Sequence, residues 1–349
     1  MRSFYLIIIS FCLLSAAVYS QVDPGITITG KVIDSKTEEP IISASVFLEN
    51  TTIGTVTNNN GEFIINKVPL GFYHLVVSSV GYEIKSMQID GYEKATLRFN
   101  VELKQKVIAI NEVSVVGEVP QDWKENIEIF QREFLGKSIH ASRTSILNPE
   151  VINFRRDGKT PNLYAYTDST IVVENRSLGY KQYILMQQFS YNRDLGTSYL
   201  FHTRFEDLTP KNDEEKEFWK KNRSDCYLGS RMHFLSALAN RRMSKEYFVV
   251  TKGYLKSLMN GYGKRMTPEE LDSLYNPELN MVGLEPEICL KVEYQEKKVS
   301  SIMEPYSGQI LTDIYGNLIN ADNVQLYGYW AEQRVSDMLP LDYIHRIGE

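Results

Sequence analysis

The sequence predicts a β-sandwich of about seven short strands followed by an α+β region. Apolar residues alternate in short runs between residues 26 and 103, and turn signals separate those runs about every ten residues. From residue 121 onward, helical spacing and strand alternation succeed one another instead.

Each run has one face to bury, because side chains two apart share a face of a strand. Ile26, Ile28 and Val32 alternate in ITITGKVID, Ala44, Val46 and Leu48 in ASVFLE, Tyr73, Leu75 and Val77 in YHLVV, and Leu97, Phe99, Val101 and Leu103 in LRFNVEL. Between them stand DSKTEEP, NNNG at 58–61, PLG at 69–71, Gly81 and Gly91, residues that turn a chain cheaply. In the later region Trp123, Ile127, Phe130 and Phe134 recur at helical spacing. Residues 163–208 are strand-like, and NDEEKEFWKKN and DCYLGSRMHFLSALANRR are expected as two helices. Asn212 with Glu215 has capping-box spacing. Thr267, Pro268 and Glu270 start another short helix, and residues 288–329 return to strands.

The expected organisation is a leader at 1–20, a sandwich at 21–105, a linker or strand at 106–120 and an α+β region at 121–349. The leader rests on Arg2, the unbroken apolar run Phe4–Leu14 and the small residues before Gln21, a run too short to be a permanent membrane span. Export to the periplasm or outer membrane is therefore expected, with no membrane-spanning helix in the mature chain. Removing Arg2 leaves 37 basic against 44 acidic residues, a formal charge of −7. With no long basic run, a nucleic-acid partner is not expected. Cys226 and Cys289 remain after the leader; an oxidising compartment permits a bridge, but ordinary burial of small apolar residues is the favoured explanation.

The stretch from Gly30 to Glu83 resembles the carboxypeptidase regulatory-like domain, a transthyretin-like β-sandwich of Gram-negative envelope proteins. Gly30-Lys31-Val32, the Pro40 turn, Ala44, Val46, the Thr57–Phe63 turn, Pro69, Gly71, Tyr73 and Gly81-Tyr82 carry the likeness. Asn58 stands where many members have Asp, which removes a carboxylate from any calcium-binding turn. The segment with Glu112 and Val113 is similar to one that follows this sandwich in nutrient-importing surface receptors. The chain then lacks the long series of strands of a large barrel. The resemblance implies a compartment and no mechanism; export, the sandwich pattern and the sparse catalytic motifs lead to the expectation of a non-catalytic binding or assembly role with a protein or glycan of the envelope, with an accessory part in a surface uptake receptor as an alternative.

Catalytic motifs are sparse. The five histidines, His74, His140, His202, His233 and His345, include no His-x-x-Glu pair, so neither a zinc-peptidase motif nor any other metal or cofactor is expected. No Gly-x-Ser-x-Gly elbow occurs. The alternative reading, a hydrolase, would draw on Glu206, Asp207 and His202, since two carboxylates and a histidine at a strand end supply acid and base. For ligand binding, the 22 tyrosines suggest stacking surfaces, and Tyr327, Tyr329, Trp330 and Arg334 form the candidate patch. His233 is expected to be a satisfied structural histidine.

Overall fold

The computed structural model describes residues 25–106, 121–156, 161–294 and 299–345; the leader at 1–20 and residues 107–120 of the expected linker lie outside the described residues. Seven strands open the fold: β1 (Ile26–Asp34), β2 (Ser45–Leu48), β3 (Gly54–Val56), β4 (Glu62–Val68), β5 (Phe72–Ser78), β6 (Lys85–Asp90) and β7 (Thr96–Leu103). They form two sheets, ordered β4-β1-β7 and β3-β2-β5-β6, with β1 and β7 parallel. The alternating residues face inward, so Ile28, Val32, Val46, Leu75 and Val101 are fully buried in one core. Each such side chain contributes about 1.5–3 kcal/mol by leaving water. The Asn58 turn closes on itself: its Oδ1 accepts the N–H groups of Asn60 and Glu62, both at 2.9 Å. Gly61 follows at φ +73°, where a Cβ would come within 2.5 Å of the Val32 carbonyl oxygen.

Helix α1 (Gln121–Leu135) lays Ile127, Phe130 and Phe134 on a six-stranded sheet. Its strands are β8 (Thr144–Ile146), β9 (Asn153–Arg156), β10 (Leu163–Tyr166), β11 (Ile171–Asn175), β12 (Tyr180–Asn192) and β13 (Gly196–Asp207). Strands β11 and β10 lie end to end along one edge of β12, and β13 runs the length of the other. Phe130 holds the helix down, with its ring centroid 4.7 Å from those of both Phe134 and Phe189.

Two helices follow, α2 (Asp213–Tyr227) and α3 (Arg231–Ala239). The boundary differs from the sequence expectation, which began the second helix at Asp225. The first helix instead continues through Tyr227, and the chain reverses at Gly229, whose φ is +76°. Ser230 then caps α3 by accepting the His233 N–H at 3.1 Å. The remaining elements are β14 (Phe248–Tyr254), α4 (Leu255–Met259), β15 (Lys264–Arg265), α5 (Pro268–Asp272), β16 (Tyr275–Asn276), β17 (Met281–Gly283), β18 (Ile288–Tyr294), β19 (Val299–Pro305), β20 (Gln309–Leu311), β21 (Val324–Gly328) and α6 (Tyr329–Glu332). They form a five-stranded sheet, β15-β14-β18-β19-β21, and a small one, β16-β17-β20. Phe234 and Leu238 of α3 sink into the core over Val250, Leu290 and Met303. The α5 capping box between Thr267 and Glu270 is present as the sequence predicts.

The architecture is thus a β-sandwich followed by an α+β region. No disulfide joins Cys226 to Cys289, which belong to different apolar clusters. Among the described residues, no helix is long and apolar enough to cross a membrane. The turn at 50–52 connects the sandwich to the rest: Asn50 N–H donates to the Thr203 carbonyl at 2.7 Å, Phe205 N–H to Thr51 at 2.8 Å, and Leu341 N–H to Asn50 at 2.7 Å.

Candidate functional site

A cleft of about 740 Å³ lies between α2, the end of β13 and residues 340–345, with Thr52 of the sandwich on its border. Helix α2 forms here because Asn212 accepts the Glu215 N–H at 2.9 Å and three acids occupy the first turn, at the positive end of the helix dipole. Its spacing buries Trp219, Asn222, Cys226 and Tyr227 on one side and leaves Lys216, Lys220 and Lys221 exposed. Trp219 Nε1–H donates to the Arg176 carbonyl at 2.8 Å.

Arg223 reaches across the cleft wall. Its guanidinium lies 3.8 Å from the Tyr180 ring centroid, and it donates to the carbonyls of Leu178 at 2.6 Å and Gly179 at 3.0 Å and to Asp207 Oδ1 at 3.0 Å. On the opposite wall Asp342 accepts from the backbone N–H of Thr52 at 2.9 Å and from its hydroxyl. The His345 ring stacks on Tyr227 at 4.9 Å, and burial lowers its pKa. The walls therefore offer aromatic edges and a lysine row interspersed with Glu217 and Asp225, while Asp207 and Asp342 are committed to structural partners.

Of the catalytic candidates, only Asp207 borders the cleft. Glu206 is the next residue on β13 and points to the other face, where it accepts the Tyr183 hydroxyl at 3.1 Å. His202 shares that face but stands about 13 Å along the strand from Glu206, four residues at roughly 3.3 Å each. Its Nδ1 is 2.7 Å from Glu49 Oε1 of the sandwich and its Nε2 is 2.9 Å from Gln187 Nε2. Since the Gln187 amide nitrogen can only donate, Nε2 accepts and Nδ1–H donates to Glu49. The structure does not bring the three residues together.

The aromatic candidates do not form a surface. Trp330 is 5% exposed, its Nε1–H donates to the Gly229 carbonyl at 2.9 Å, and its ring lies 5.6 Å from that of Phe234. Tyr327 donates its hydroxyl to Glu304 at 2.6 Å, which raises its pKa, and Tyr329 packs against the core. Arg334 folds back onto the carbonyls of Ala331 and Gln333, with its guanidinium 5.9 Å from the Tyr199 ring. Sequence reasoning passed over Arg223, Tyr180 and the lysine row; the signal available was the placement of Lys216, Lys220 and Arg223 along one flank of a helix whose other flank carries Trp219 and Cys226. His233 is a structural histidine: its Nδ1 accepts the Gly229 N–H at 3.1 Å, and Nε2 lies 3.1 Å from Glu246.

Residues 28–115 match the family model of the CarboxypepD_reg-like domain. Over 143 residues, 40% of this chain, the sequence is 26% identical to the TonB-dependent receptor SusC of Bacteroides thetaiotaomicron, and that match spans 14% of the receptor. Among solved structures, a DUF3823 family protein from Bacteroides uniformis aligns over 87% of this chain and 96% of its own at 9% identity and a TM-score of 0.19. The pilus 2b backbone protein of group B streptococcus aligns over 24% of this chain and 42% of its own at 20% identity and a TM-score of 0.21. With its seven strands in two sheets and its match to the family model, the front of this chain, residues 28–115, is a CarboxypepD_reg-like domain.

Proposed function

We propose that the chain is exported to the cell envelope and acts there in binding or assembly, without catalysis, and that the cleft beside α2 takes an acidic segment of an envelope protein or glycan. The observation that carries this reading is the state of the cleft's charged groups. Arg223 is held by Asp207 and by the carbonyls of Leu178 and Gly179, and Lys216, Lys220 and Lys221 line the exposed rim together with Glu217 and Asp225. A row of ammonium groups beside aromatic edges attracts an acidic chain and offers it a surface to stack on.

Residues 21–349 titrated with an oligogalacturonate and with an oligoglutamate should bind at least one of them, with affinity that falls as salt rises. Lys220→Glu with Lys221→Glu should abolish that binding. Absence of binding to both, or hydrolysis of either that is lost on changing Asp207, would sink the proposal. Recovery of the native protein in the cytoplasmic fraction would remove the export part alone. A second reading, an accessory of a surface uptake receptor, has the likeness to SusC in its favour. It predicts copurification with a TonB-dependent receptor from solubilised envelope, and copurification without any receptor counts against it.

A further inference from the structure

Beneath the cleft, His140, Cys226 and Asp337 converge from three separate parts of the chain, with one donor atom of each within 4.8 Å of the others. His140 follows α1, Cys226 lies in the last turn of α2, and Asp337 closes the short turn at 335–337 that leads into the C-terminal wall of the cleft. We infer that these three side chains bind one divalent transition-metal ion, zinc by the chemistry of its donors, as a staple beneath the cleft.

Nitrogen, sulfur and oxygen donors together are a zinc-type set, with bond lengths of about 2.0–2.3 Å. Donors around one such ion stand roughly 3.3–3.8 Å apart, so the observed triangle must contract by up to about 1–1.5 Å at its widest. A thiolate and a carboxylate carry two negative charges between them, and with a neutral imidazole they neutralise a dication, which a buried site requires. Coordination releases the Cys226 thiol proton to solvent.

The supports of the three ligands are already built. His140 Nδ1 lies 2.7 Å from Ser177 Oγ, which also accepts from Asn222 at 3.2 Å. With Nδ1 donating to Ser177, Nε2 is the nitrogen that meets the metal, the arrangement in which an outer partner fixes the ring and its tautomer. Asp337 Oδ2 accepts the Arg334 N–H at 3.2 Å. The turn that carries it is pinned by Gln182, which donates to the Val335 carbonyl at 3.1 Å, and by Asn175, which donates to Ser336 at 2.9 Å. His140 is 6% and Cys226 4% exposed and Asp337 is half-buried, so the ion would be largely enclosed, with a water completing its four-coordination, and its role that of holding segments together. The inference does not depend on what the cleft binds.

The test uses the untagged chain from residue 21, stripped with a chelator and titrated with cobalt(II) and zinc(II) alone. One cobalt ion per chain is expected, with visible bands of tetrahedral intensity and a thiolate-to-cobalt charge-transfer band in the near ultraviolet. Cys226→Ser should erase the charge-transfer band, Asp337→Asn should weaken binding by at least about tenfold, and zinc should raise the melting temperature of the wild type. A cobalt spectrum without the thiolate band, or one that persists in both variants, overturns the inference. X-ray absorption of the zinc-loaded wild type needs no variant: one sulfur among nitrogen and oxygen neighbours is expected, and an all-oxygen shell or two sulfurs overturns it.

Discussion

The tyrosines and indole of YGYW invite a stacking surface, yet Trp330 fills the core over Phe234, with both its ring N–H and its backbone N–H bonded to protein. Trp330→Ala should therefore lose about 3–5 kcal/mol in urea unfolding, while Tyr306→Ala, at a ring that is 62% exposed, should stay within about 0.5 kcal/mol. Equal losses would show that the ring's burial is not what stabilises the fold. His233 gives a pH signature. Burial lowers its pKa from 6.5 to about 4, so the folded chain stays neutral where the unfolded chain takes up a proton. Its contribution is whole above about pH 6.5 and is lost as pH falls toward 4, by roughly 3 kcal/mol. Proton NMR of the His233 ring should give a midpoint near 4; a midpoint near 6.5 would mean that the imidazole is not desolvated. Residue type alone could not locate these sites. Alternation along β13 does set Glu206 and Asp207 on opposite faces, but the partners that hold them, Tyr183 and Arg223, come from other segments. The convergence of His140, Cys226 and Asp337 depends wholly on tertiary structure.

Strands with clean alternation were legible, as was α1, because a half-buried element writes its period into the sequence. Others were not, β14 among them. In β14 only Phe248, Val249 and Val250 precede Thr251, Lys252 and Gly253, too short an apolar run to betray a strand inside a five-stranded sheet. Helix α3 was expected, but as one run from Asp225: residues His233–Ala239 are all buried, so no polar face marks where the helix begins. The turn between β11 and β12 shows how a local sequence fixes an element's position. Gly179 has φ +71°, and a Cβ there would stand 2.3 Å from the Trp219 ring of α2. Gly196, at the tip of the β12–β13 hairpin, has φ +88°, and a Cβ there would meet nothing within 4 Å. Gly196→Ala should cost only the left-handed backbone penalty, about 1–2 kcal/mol. Gly179→Ala should cost that and about 1–3 kcal/mol more for displacing the indole. Equal costs in denaturant titrations would show that α2 yields freely, and the cleft wall with it.

Contacts away from β13 also tie the sandwich to the later region: Leu341 N–H donates to the Asn50 carbonyl, Lys106 pairs with Asp168 at 3.4 Å, Asp342 holds Thr52, and Asn317 Nδ2–H donates to the Phe72 carbonyl at 3.1 Å. Asn317 belongs to a loop folded around the buried Asp313 carboxylate, which accepts the N–H groups of Tyr315 and Asn317, both at 3.0 Å. Burial pushes the Asp313 pKa from 3.8 up to about 6, and the neighbouring Tyr73, Tyr92 and Tyr275 are themselves raised by burial and stay neutral there. The folded form thus holds a proton more tightly than the unfolded chain. Its stability is least above about pH 6 and rises as pH falls from 6 toward 3.8, by roughly 1 kcal/mol at pH 5, and a docked sandwich that shields the loop should carry part of this gain. His233 pulls the other way in part of this window, so the test reads Asp313 itself. In the wild type the Asp313 carboxyl carbon should titrate near pH 6 and calorimetry at pH 7.5 should show one transition. In Asp342→Ala with Asn317→Ala the carboxyl midpoint should move toward 3.8 and the transition should split in two, because the sandwich no longer shields the loop. A midpoint that stays near 6 while the transitions separate would place the source of the burial within the loop and its own sheet, and the coupling of docking to pH would fall.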